Sequence, residues 1–238
     1  MTSTTLPRRW FSAGLLVTLP LTLLGTLAAC AGGPPAPDWK MNAQSSIERF
    51  ESAYLAGNTR VEQSEFKRAR EQLASTGQVA LVARVELMRC ATRVASLVLE
   101  ECTGFERLRA DAAAPERAYA TYLAGRAGPA DVALLPPQHR AAAAAATDEQ
   151  AAAAVAAIAD PLARLVAAGV LLRANRASPA LLATAADTAS AQGWRRPLLA
   201  WLGVQALRAE QVGDVPQAQY LRRRMQLVEG EDEGRAAQ

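Results

Sequence analysis

Helix start and stop signals recur along this chain at intervals that leave room for little but short packed helices. Asp160-Pro161 and Ser178-Pro179 each set an N-capping side chain before a proline at the first helical position, predicting helices over 161–174 and 179–192, the second closed by Gly193. Ser45 to Glu48, Thr59 to Glu62 and Thr147 to Gln150 are capping boxes, in which the first side chain and the fourth satisfy each other's free backbone amides. The first opens a helix to Gly57 with Ile47, Phe50, Tyr54 and Leu55 on one face; the second opens one with Val61, Phe66, Ala69 and Leu73 inward, ending before Gly77. A strongly apolar helix is expected over 79–98, then shorter ones over 105–111 and 115–125, a turn-rich stretch over 129–137, and an alanine run over 141–146 that reads as helix or linker. Arg196-Pro197 precedes a helix carrying Leu198, Trp201, Leu202 and Leu207, and Gly213-Asp214 turns the chain into a last helix ending near Val228. Aromatic residues are only 5% of the chain, so the core must come from Ala, Leu and Val, which suits helices that approach closely. The fold class expected is all-α, an array of αα-hairpins, with a generic helical bundle as the alternative.

The N-terminus follows a different logic. Arg8 and Arg9 precede an uncharged apolar run that ends in small residues, the three regions of an export signal. Leu27-Ala28-Ala29-Cys30 resembles the lipobox of bacterial lipoproteins. That resemblance implies cleavage before Cys30 and acyl chains on its sulfur and amine, and Ala31 in place of Asp implies the periplasmic face of the outer membrane. The organisation expected is a signal peptide (1–29), a Gly/Pro tether (30–37), an N-terminal helical part (38–135), an alanine-rich connection (136–147), a C-terminal helical part (148–230) and a disordered acidic tail (231–238).

Within the C-terminal part, Ala206, Ala209, Gly213-Asp214 and Ala218 fall in the order small, small, turn, small, and Gly57-Asn58, Phe66 and Ala69 match a second copy. This arrangement is similar to tetratricopeptide-like repeats and implies a superhelix that works as a scaffold or adaptor.

Charge narrows the partners. Of 26 basic residues Arg8 and Arg9 leave with the signal, so 24 face 23 acidic residues and the mature chain carries +1. No basic field remains to hold nucleic acid, and the partners expected are envelope proteins and, through the lipid, the membrane. Cys90 and Cys102 are free to pair in an exported compartment, but on one straight helix they would stand about 18 Å apart, far beyond the ~7 Å that a disulfide spans. A bond requires the helix holding Cys90 to end by about Val98 and the chain to fold back; two buried thiols are the alternative.

Catalytic constellations are thin. His139, the only histidine, sits beside Pro136-Pro137 and reads as an ordinary surface residue in a loop. Glu51-Ser52 resembles the Glu-Ser pair of lytic transglycosylases, without the motif that follows it there, and reads as solvent-facing on the first helix. Glu100-Glu101 reads as a solvated turn. Trp194-Arg195-Arg196 is the strongest candidate for protein binding, because an apolar ring beside bidentate donor forks is what interface hot spots are made of. No cofactor or metal is expected. The function expected is a non-enzymatic lipid-anchored adaptor, with a helical cell-wall-acting or cell-wall-binding subunit as the alternative.

Overall fold

The computed structural model describes residues 37–236, with side chains through 230; the signal peptide, Cys30 and the tether up to residue 36 lie outside them. Among the described residues the protein is all-α. Residues 37–238 fall in one compact unit. A long hairpin opens the fold, α1 (Asp38–Ala56) and α2 (Thr59–Ala74), followed by α3 (Val79–Ala95). Short helices come next: α4 (Thr103–Glu106), α5 (Ala114–Leu123), α6 (Pro129–Val132), α7 (Pro137–Ala144) and α8 (Asp148–Ala156). The chain ends with α9 (Pro161–Arg173), α10 (Pro179–Ala191), α11 (Arg195–Gln211) and α12 (Val215–Ala236). Helices adjacent in sequence pack as hairpins, and α3 also packs against α5 and α9 while α1 meets α11, so the array curls back on itself.

The predicted caps hold α9 and α10: Asp160 accepts from the Ala163 amide at 2.6 Å and Ser178 from the Leu181 amide at 3.2 Å. Thr147 and Gln150 form their capping box. Residues 141–144 of the alanine run belong to α7 and the rest form the short non-helical link to α8, and Ala142 joins the same core as Leu87, Leu165 and Trp201.

Several boundaries differ from expectation. The first helix begins at Asp38, behind Pro37, because burial of Ala43 and contact of Trp39 with the hairpin core reward another two turns; Ser46 of the expected cap is buried instead. The second helix is capped by Asn58 rather than Thr59. Its inward face also rotates: Val61 is exposed, whereas Glu62 and Glu65 are buried. Arginines explain the exchange: Arg89 of α3 holds Glu62 at 2.7 Å, and Arg49 of α1 and Arg68 of α2 itself hold Glu65 at 3.0 Å. The ladder continues through Arg70–Glu86 and Arg84–Glu116, both at 2.7 Å, tying α1, α2, α3 and α5 in series. Buried carboxylates of this kind are tolerated because each finds a guanidinium. The short α4 replaces the helix expected over 105–111, and α12 runs on past Val228 to Ala236, a stretch with no proline to stop it.

The third helix stops at Ala95, not at Val98. Leu97 takes a left-handed backbone (φ 60°) and turns the chain so that Cys90 and Cys102 come within 5.8 Å (Cα–Cα) and join as a disulfide. Alkylation of the unreduced protein followed by mass spectrometry is therefore expected to leave both cysteines unlabelled, and reduction to expose two further alkylation sites.

Candidate functional site

Three places deserve weight as sites, and the sequence-predicted one is spoken for within the chain. Trp194 is the N-cap of α11, its amide donating to the Ala189 carbonyl at 3.0 Å and its ring half-buried against the core. Arg195 donates from Nε to the Val228 carbonyl at 3.1 Å, fastening α11 to α12. Arg196 lies over the Tyr54 ring, 4.2 Å from its centroid, and donates to Thr59 Oγ1 at 2.8 Å. Arg195 thus clasps α11 to α12, and Arg196 clasps it to the α1–α2 turn. Trp201, two turns on from Trp194, is fully buried and donates its indole N–H to the Ala95 carbonyl at 3.0 Å.

His139 is not a surface residue: it is 2% exposed, on α7, because Pro136 and Pro137 start a helix that drives its ring under α5. There it makes a ring cluster with Tyr119 and Tyr122, at centroid distances of 5.7 and 5.1 Å, and its Nδ1 lies 3.3 Å from the Tyr122 hydroxyl. Burial pushes its pKa down to about 4, against a weaker opposing pull from Asp160, so the ring is neutral. Both tyrosine hydroxyls are pushed up, chiefly by burial; Tyr119 also feels Glu51 and Asp160, and Tyr122 feels Tyr119.

Glu51 is half-buried beside this cluster rather than solvent-facing. Burial, then the charges of Asp160 and Glu48, push its carboxyl up to about 7. Among the described residues no group of three or more His, Cys, Asp or Glu could hold a metal ion.

The third place is a groove of about 450 Å³ between α3, α5 and the α6–α7 corner. Its wall is apolar: Leu87 and Met88 from α3, Pro115 and Tyr119 from α5, and the run Leu134 to Pro137. Leu134, in this wall, is 40% exposed. Arg84, Glu116 and Arg140 supply its polar groups. Glu116 is 5% exposed; Arg84 Nε donates to its Oε1 at 2.7 Å, while its Oε2 is buried with no donor among the described residues. Arg140 spends its Nε on the Leu135 carbonyl at 2.8 Å.

No protein-family model, curated protein or solved structure matches this chain. The groove must be interpreted from its own chemistry. It was missed in the sequence because its wall comes from three separate segments, α3, the start of α5 and the turn into α7; the local signals were Pro115 and Pro136-Pro137, the latter beside Leu134-Leu135.

Proposed function

We propose that this protein is a lipid-anchored, non-enzymatic adaptor on the periplasmic face of the outer membrane, and that it holds a partner envelope protein in the groove between α3, α5 and the α6–α7 corner. The observation that carries the reading is the groove itself, an open apolar surface with a buried acceptor in its wall. Leu27-Ala28-Ala29-Cys30 supports the anchor, and the Cys90–Cys102 disulfide accords with an exported protein. The first helix starts at Asp38, so the seven residues after Cys30 span at most about 25 Å and keep the folded body close to the bilayer. The tetratricopeptide-like pattern around Gly213-Asp214 supports a scaffold role by analogy of fold alone.

A photocrosslinking residue at position 134, in cells, is expected to capture one envelope protein that the same residue at position 212, an exposed site on the α11–α12 turn, does not. Capture of nothing, or of the same proteins from both positions, would sink the adaptor reading. Cys30→Ala is expected to move the protein from the membrane to the soluble fraction; membrane retention would remove the lipid as its tether.

A second reading, a subunit acting on cell-wall material, rests on Glu51, whose raised proton affinity beside Asp160 suits a general acid. A Glu51→Gln variant with unchanged cell-wall turnover removes it.

A further inference from the structure

The polar groups of the groove say what its occupant must carry, given the reading of the groove as the adaptor's binding surface, on which this inference rests. We propose that the groove recognises the free C-terminus of a peptide that ends in apolar residues: apolar side chains against Leu87, Met88, Tyr119 and Leu134, a backbone N–H on Glu116 Oε2, and the terminal carboxylate on Arg84 and Arg140.

The buried oxygen sets the first requirement. Glu116 Oε2 lacks a donor among the described residues, and an acceptor buried in that state costs about 1–3 kcal/mol. The oxygen is closed to solvent as it stands, so a ligand N–H recovers that cost by meeting the carboxylate as the Glu116 side chain turns toward the groove it lines, which a purely apolar occupant cannot do. The donor has to be uncharged, because Arg84 and Arg140 already line the same groove and a third cation beside them would be repelled.

The arginines set the second. Arg84 commits only its Nε to Glu116 and is 64% exposed, and Arg140 commits only its Nε to Leu135, so the terminal nitrogens of both have no partner among the described residues. Two guanidinium forks lining one groove suit a carboxylate, which accepts two parallel N–H bonds from such a fork.

The prolines set the third. Pro115, Pro136 and Pro137 have no backbone N–H, so this part of the wall offers a ligand no main-chain donor. The ligand's own N–H must turn to Glu116 and its carboxylate to the arginines, which fixes the direction of the chain. A proline-rich peptide fails because it has no N–H to give; a fatty acid fails because it leaves Oε2 unfilled. The volume, about 450 Å³, accommodates the side chains of roughly two residues.

Methionine-methyl NMR on the full chain in detergent micelles tests this. Met88 lines the groove, while Met41 is exposed on α1 and Met225 packs on the α11–α12 side, so both serve as internal references. N-acetyl-Leu-Leu with a free carboxylate is expected to shift the Met88 methyl in a saturable way and to leave Met41 and Met225 unmoved. Amidating its carboxylate, or methylating its terminal amide nitrogen, is expected to weaken binding at least tenfold each, and hexanoate is expected not to saturate. Arg140→Gln, which leaves the Arg84–Glu116 pair intact, is expected to weaken the free acid but not the amide. Equal affinity for acid, amide and N-methyl peptide overturns the C-terminus proposal while leaving an apolar docking groove in place. Saturation by hexanoate overturns it in favour of an acyl chain. No movement of Met88 with any probe overturns it as well, and the crosslink from position 134 then decides the adaptor reading separately.

Discussion

Gly169→Ala is expected to destabilise the protein by about 3 kcal/mol and to lower its melting temperature by about 10 °C. Gly169 lies in the middle of α9, where α9 crosses α3, and a Cβ there would overlap the Val94 carbonyl oxygen and sit 2.9 Å from Val94 Cγ1. Backbone cannot swing aside as a side-chain tip can. The C-terminal turn of α3 is also held from two other directions, by the Cys90–Cys102 disulfide and by the Trp201 indole on the Ala95 carbonyl. In a free helix the same substitution stabilises by about 1 kcal/mol through propensity alone. The sign of the effect in urea or thermal unfolding therefore decides whether α3 and α9 meet backbone to backbone; a neutral or stabilised variant would refute the crossing.

Stability is expected to be nearly flat between pH 4.5 and 6.5 in the native protein and to become strongly pH-dependent when either of two residues is replaced. Glu51 has its folded pKa raised from 4.5 to about 7, so the folded state holds the proton that the unfolded state releases, and stability falls as pH rises through that window. His139 has its folded pKa lowered from 6.5 to about 4, so the unfolded state takes a proton that the folded state refuses, and stability falls as pH drops through that window. The two slopes oppose each other and nearly cancel. Glu51→Gln removes one of them, leaving the His139 slope and a protein that gains about 2 kcal/mol between pH 4.5 and 6.5. It is also expected to be more stable than the native protein at pH 8, where the buried carboxylate would be charged. His139→Gln leaves the opposite slope, with stability falling from pH 4.5 to 7. Urea unfolding of the three proteins at half-unit steps of pH is the measurement; parallel curves would show that neither side chain is held as described.

How much of this was legible beforehand depends on whether the cause was local. The N-caps Asp160 and Ser178, the capping box at Thr147 and the left-handed glycines at positions 57, 193 and 213 act within one turn of the chain, and a sequence displays them completely. Trp201 in the core and the condition for the disulfide, an early end to the helix holding Cys90, were also readable from spacing. What failed was decided by partners far along the chain. Glu62 read only as part of a capping box because the arginine that holds it, Arg89, sits on α3, and Glu65, held by Arg49 of α1 and Arg68 of α2, carried no local signal. His139 read as a surface loop because Tyr119 and Tyr122, on another helix, provide its cover. Trp194, Arg195 and Arg196 read as a binding patch because Tyr54, Thr59 and Val228 were invisible to them in sequence. The groove had no single motif to announce it, since its walls meet only after α5 has packed on α3 and α7 on α9.

The clasp of Arg196 on Tyr54 and Thr59 also bears on the order in which the molecule can be finished. Its hydrogen bond joins residues 137 positions apart, and a chain is made from its N-terminus onward. The α1–α2 hairpin is therefore complete long before the side chain that closes over its turn exists. Until α11 arrives, the Tyr54 face stands open as a hydrophobic surface available to folding helpers or to wrong partners. Closing it reports that nearly the whole chain is present, so a product truncated before residue 195 would keep that face uncovered and be marked for removal by the surface it failed to bury.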